Sequence, residues 1–120
     1  MRFLMFIKHA ENSHPVAPPK PLMDAMGTFV GEGFKAGWLK ETAGLKRTAE
    51  SLRIRSKGGK LTVTDGPFTE TKEIVGGYAI VEVKAKDEAL DIARRFMELH
   101  RVHWPEFDCE SEVRQIEELS

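Results

Sequence analysis

The chain has one cysteine, Cys109, among its 120 residues. A disulfide within one chain is therefore impossible, and a reducing, cytoplasmic compartment is the simplest expectation. An excess of one charge is also missing: 18 Lys and Arg stand against 19 Asp and Glu, a net charge of −1. That balance gives no general attraction to nucleic acid or to an anionic membrane, so neither is an expected partner. Long apolar runs are absent as well. The run that opens the chain, Phe3 to Ile7, has five residues; it is too short for a signal-peptide core or a membrane span and suits a buried strand. There is no repeat of roughly 20 residues or more, and no low-complexity tract. A Gly-rich phosphate loop, a Walker motif, a nucleophile elbow and a CxxC pair are all lacking, which argues against an NTPase or a nucleophilic hydrolase of the usual types. What remains is an ordinary globular composition, 41% hydrophobic and 31% charged. The length suits one domain over residues 1–120.

Residues 2–9 read as a strand, and residues 11–21, with four of the six prolines, as a loop. Pro21 can open a helix, because its missing N–H is not needed in the first turn. Met23, Met26, Phe29, Val30 and Phe34 then follow helical spacing up to a stop near Gly37. Gly27 and Gly31 weaken that helix by about 1 kcal/mol each; a close approach to the sheet or an opening above it would account for them. Trp38 to Leu45 begins as a second strand. Residues 51–64 alternate on both sides of Gly58-Gly59 as a hairpin. Gly77 to Val83 is a further strand. Asp87 and Glu88 open a second helix, marked by Ala89, Ile92, Ala93, Phe96 and Met97 and running to about His100. A last strand spans residues 111–117. This order predicts an α+β, ferredoxin-like split βαβ fold with an inserted hairpin, its helices covering one face of an antiparallel sheet.

Two strands are apolar on both faces. Phe3, Met5 and Ile7 alternate with Leu4 and Phe6; Ala79, Val81 and Val83 alternate with Tyr78 and Ile80. Leaving Leu4, Phe6, Tyr78 and Ile80 wet forfeits about 1.5–3 kcal/mol per large side chain. A second copy of the chain, packed sheet to sheet, is the expected cover, making a homodimer; the alternative is that the hairpin or the C-terminal tail folds over that face in cis.

The stretch from Asp65 to Glu73, "DGPFTETKE", is dense in turn-forming and ionisable residues. It resembles the signature of the DGPF, or YCII-related, family. The "MRFLMFIK" start, the helix ending in "AGW", the "GGYAIVEV" strand, the "DEALDIA" helix and the "CESEVRQIE" strand also sit where that family has its own. The resemblance implies a dimeric α/β barrel of ferredoxin-like halves. It chooses no chemistry, because relatives by fold include isomerases, monooxygenases and haem enzymes. Members of the family have been proposed to be enzymes, and some are named as transcription-initiation proteins linked to sigma factors. YCII-type members are described with a His–Asp pair whose His lies on the first helix. That helix here, Leu22 to Lys35, carries Asp24 and Glu32 but no His, so the pair does not carry over.

The residues themselves leave several readings open. Asp65, Gly66, Pro67 and Phe68 can simply hold a corner between hairpin and strand. Alternatively Asp65, Glu70 and Glu73 move protons or bind a polar ligand, with Lys72 supplying the opposite charge; a loop that binds a protein partner is the third option. In "HRVHWPEFDCE", His100 and His103 lie one helical turn apart, with Trp104 as an anchor before the helix-breaking Pro105. Nearby Glu106, Asp108 and Cys109 match no strong zinc spacing, so no metal is expected. His9 ends the first strand at a plausible barrel mouth. Arg53, Arg55, Lys57 and Lys60 read as a solvated hairpin face, since stacking aromatics and a recognition helix are missing. The function expected is a small-molecule pocket, with cofactor-free acid–base chemistry at Asp65, Glu70 or His100 and ligand contacts from His9, Phe68, Lys72, Glu73, His103 and Trp104. The alternative is a non-catalytic accessory module associated with transcription initiation.

Overall fold

A computed structural model describes residues 1–10, 17–68 and 73–118. The order of elements is β1 (Arg2–His9), α1 (Lys20–Ala36), β2 (Leu39–Gly44), a single 3-10 turn (Thr48–Glu50), β3 (Leu52–Lys57), β4 (Lys60–Asp65), β5 (Ile74–Glu82), α2 (Lys86–His103) and β6 (Glu110–Gln115). Four strands form one sheet in the order β2-β5-β1-β6, and β3 and β4 form a separate two-stranded sheet. Each pairing is antiparallel. This is the α+β, ferredoxin-like arrangement that the alternation predicts, with the hairpin inserted between β2 and β5.

The helices start and stop where backbone chemistry directs. The carbonyl of Pro19 accepts the N–H groups of Leu22 and Met23 at 3.1 Å each, so α1 begins at Lys20, ahead of Leu22. It ends on Gly37 in the left-handed region, φ +88°, whose N–H reaches the Gly33 carbonyl at 3.0 Å. α2 runs one turn past His100, because the Trp104 N–H still bonds the His100 carbonyl at 2.7 Å; Pro105 then stops it. β5 starts at Ile74, earlier than expected. A bulge lets Ile74 and Val75 pair with His9 and Lys8, while Gly77 pairs with Ile7 and Gly76 is left as the extra residue.

One sheet face carries the core. Phe3, Met5, Leu39, Val81 and Val83 pack against Ala89, Ile92 and Ala93 of α2, and Leu22 is fully buried on α1. Gly33 is where α1 presses closest: a side chain there would meet the Trp38 ring at 2.7 Å. Gly27 and Gly31 have nothing within 4 Å, so close approach does not account for them.

The opposite face holds two cross-strand pairs, Leu4 with Ile80 and Phe6 with Tyr78. All four are half-buried, and a charged rim surrounds them. Lys8 bridges Glu110 at 2.9 Å and Glu112 at 3.2 Å, and its ammonium is held above the usual lysine range by hydrogen bonds to both. The Arg114 guanidinium lies 5.9 Å from the Phe6 ring centroid. Lys40 and Arg2 flank Glu82 at 3.4 and 3.5 Å and hold its carboxyl below the usual range, Lys40 contributing most. Tyr78 donates to Glu41 at 2.7 Å. The hairpin does not pair with this sheet; it stands apart from it.

Candidate functional site

Between the helices and the sheet lies a cavity of about 430 Å³. α2 supplies Phe96 and His100, spaced by four, and Trp104 follows at the same spacing, so one stripe of the helix and its cap lines the space. α1 contributes Leu22, Met26 and Phe29; Trp38 follows from the start of β2. His9, Gly76 and Phe107 line it as well. Both tryptophans of the chain line the cavity. Among the described residues, none of the lining side chains is an Asp, Glu, Lys or Arg.

Among the described residues, His9 and His100 are the buried polar ones, 8% and 7% exposed. His100 Nδ1 donates to the Phe96 carbonyl at 3.1 Å, the only role open to it since a carbonyl oxygen accepts. That fixes the tautomer: Nε2 keeps its lone pair when the ring is neutral. Burial pushes the imidazole below its ordinary value, partly opposed by the bond to Phe96. The ring sits edge-on to Phe96, with centroids 4.8 Å apart. The lowered value leaves the His100 ring neutral at pH 7, beside a cavity whose described lining carries no ionised side chain.

His9 is placed by the register. Its Nδ1 donates to the Ala10 carbonyl at 2.8 Å, and its ring lies directly over Gly76. A side chain at Gly76 would come within 2.5 Å of His9 Nε2, and one at Gly77 within 3.1 Å of the Ala43 carbonyl oxygen. The glycine pair thus serves the bulge and a close approach together. Phe107 packs against His9 at 5.3 Å and stacks on buried Trp104 at 4.3 Å, so Trp104 is an anchor as well as a wall.

Of the residues singled out in the sequence, His9, His100 and Trp104 meet on this cavity. His103, half-buried at the end of α2, is not among its lining residues. Asp65 closes β4, exposed, opposite Leu52. Phe68 is half-buried under the Arg53 guanidinium, whose carbon lies 3.8 Å from the ring centroid, and Glu73 is exposed ahead of β5. Glu70 and Lys72 fall outside the described residues. Gly66 donates its N–H to the Ser51 carbonyl at 2.8 Å, and a Cβ there would fall 1.5 Å from the Thr48 carbonyl oxygen. The described part of the motif ties the foot of the hairpin to the 3-10 turn. The aromatic walls Phe29, Trp38, Phe96 and Phe107 were not singled out as site residues; the four-residue spacing of Phe96, His100 and Trp104 is the signal that could have found Phe96.

Cys109 is half-buried, and burial pushes its thiol up, with Asp108 adding to the shift, so it makes a poor nucleophile. Among the described residues no group of three or more His, Cys, Asp or Glu is arranged to hold a metal, and no helix is long and apolar enough to cross a membrane.

A four-stranded antiparallel sheet with two helices on one face, and a cavity between the layers, defines a ferredoxin-like α+β protein. A model of the YCII-related domain family matches residues 1–98, and the chain belongs to that family. It is also similar to an uncharacterized protein of Rhizobium meliloti (strain 1021), 42% identical over 60 residues, which are 50% of this chain and 48% of that protein. The chain spans about half the length of this curated relative.

Proposed function

We propose that the chain binds a small, uncharged, largely apolar organic molecule in the cavity between helices and sheet, and that His100 is the group that acts on it. The observation that carries this reading is a neutral, buried imidazole in a space of about 430 Å³ whose described lining has no ionised side chain. That volume falls within the range of ligand pockets, roughly 300–1,000 Å³. A carboxylate or phosphate ligand would have to shed its hydration with no cation to receive it. A phenol, an enol or a carbonyl compound with an acidic C–H meets no such cost and offers a proton to His100 Nε2. The chemistry supported best is cofactor-free proton transfer: His100 takes a proton from one atom of the ligand and returns it to another, leaving no net change in protons.

The working unit of this proposal is a cytoplasmic homodimer, with the Leu4, Phe6, Tyr78 and Ile80 faces of two copies packed together. Phe6→Asp is expected to separate the copies. The ligand reading is tested by titrating neutral phenols and aromatic ketones while following tryptophan fluorescence, which reports on Trp38 and Trp104. His100→Leu should weaken binding at least tenfold, and matched carboxylates should bind poorly. Equal affinity of wild type and His100→Leu across the series would remove His100 from the reading; saturable binding of carboxylates alone would overturn it.

A further inference from the structure

The most exposed apolar surface among the described residues is on the inserted hairpin. Leu52, Ile54, Leu61 and Val63 are 71%, 67%, 76% and 65% exposed. The register sets Ile54 opposite Val63 and Leu61 opposite Ser56, so these side chains share one face of β3–β4. The other face carries Arg53, Arg55, Thr62 and Thr64. The turn is well specified, with Gly58 at φ +59° and Gly59 at φ +78°, the pair of left-handed residues a two-residue hairpin loop demands. A two-stranded ribbon with a bare apolar face is marginal in water and needs something to pack on. Its own body does not provide this, because β3 and β4 bond to neither edge of the main sheet. The radius of gyration, 16.2 Å, exceeds the roughly 14 Å of a compact chain of this length, as an outstretched arm requires.

We propose that this arm seats on a second copy of the chain, apolar face inward, the two arms exchanging about the two-fold axis. It rests on the homodimer proposed above and adds a second contact to it. Charge selects the occupant. The hairpin carries Arg53, Arg55, Lys57 and Lys60 against one carboxylate, Asp65, a net +3, whereas the whole chain is −1, leaving the body at −4. The acid is concentrated near the C-terminus, where Glu106, Asp108, Glu110, Glu112, Glu117 and Glu118 stand against Arg114 and against Lys8, which bridges Glu110 and Glu112. A basic-edged apolar arm thus meets an acidic body in another copy of the same molecule, which gives an isologous contact.

The test is sedimentation equilibrium of the full chain over a concentration series, comparing wild type with Leu61→Asp/Val63→Asp, Phe6→Asp and, as a control, Leu90→Asp on α2. The arm variant is expected to raise the dimer Kd at least tenfold, the control to leave it unchanged, and added salt to weaken the wild-type dimer. Hydrogen exchange on the wild type needs no substitution: amides of β3 and β4 should lose protection on dilution below the dimer Kd. A wild-type dimer that Phe6→Asp breaks and Leu61→Asp/Val63→Asp does not, with arm protection independent of concentration, would overturn the arm and leave the sheet-face dimer standing. The reverse pattern would keep the arm and remove the sheet face. A monomer at all concentrations, or an arm protected only when nucleic acid or another protein is added, would overturn the proposal.

Discussion

The ring of His9 fills the volume that a side chain on Gly76 would occupy: a Cβ at Gly76 would lie 2.5 Å from His9 Nε2 and 2.8 Å from Cδ2. Two residues far apart in sequence are thereby specified together, one aromatic and buried, the other bare. Gly76→Ala should push His9 out of place and cost about 1–3 kcal/mol, as other overpacking substitutions do. Urea denaturation would measure it. The same change in a His9→Ala background should cost much less, because the obstruction is gone. Equal costs in the two backgrounds would mean that the ring and the glycine are not coupled.

Glycines elsewhere should behave in opposite ways. A Cβ on Gly66 would sit 1.5 Å from the Thr48 carbonyl oxygen, a backbone atom that cannot swing aside. Gly66→Ala is expected to destabilise by about 1–3 kcal/mol and to raise hydrogen exchange at the foot of the hairpin. Gly27 lies within α1 with nothing within 4 Å. Gly27→Ala should instead stabilise by about 0.4–1 kcal/mol, seen as a higher urea midpoint.

These pairs mark the boundary of what the sequence discloses. The fold was legible because its cues are local. Phe3 and Met5 alternate with Leu4 and Phe6, Gly58-Gly59 demands a tight turn, and Ala89, Ile92 and Ala93 repeat at helical spacing. The contacts of Gly76 with His9 and of Gly66 with Thr48 depend on register and on a return of the chain, and no periodicity encodes them. The cavity was half visible. His9, His100 and Trp104 were legible as candidates, His100 through its spacing from His103; the four-residue spacing that aligns Phe96 with His100 and Trp104 went unread, and Trp38 and Phe29 join the lining only once α1 has crossed the sheet. The density of charge in "DGPFTETKE" drew attention to a loop whose described part is spent on anchoring a hairpin.

Trp104 is 6% exposed, caps α2 through its N–H and stacks on Phe107. Trp104→Ala should cost about 3–5 kcal/mol, the range for emptying a large aromatic site, and should loosen the β6 end of the molecule, since Phe107 loses its stacking partner. Trp104→Phe keeps a ring in place and should cost clearly less. Thermal melts of the three proteins would check the order; a Trp104→Ala protein as stable as wild type would mean that the stack carries no load.

His100 gives the chain a pH dependence with a definite sign. Its folded value lies below the ordinary 6.5, chiefly because burial penalises the charged ring. In the window between that lowered value and 6.5, the unfolded chain binds more protons than the folded one, so stability rises with pH there. The contribution is intact above the unfolded value, is lost as pH falls toward the folded one, and falls no further once both states are protonated. The carboxyls of exposed Glu82 and half-buried Glu112 are lowered by their cationic partners and act in a separate, more acidic window, below 4.5. Melting temperatures measured from pH 8 to pH 5 should therefore decline for the wild type through the histidine window. The decline should be shallower for His100→Leu, which has no ring to charge, even though that variant starts from a different baseline. Parallel curves for the two proteins would show that His100 titrates alike in both states and that burial does not disfavour its charged form.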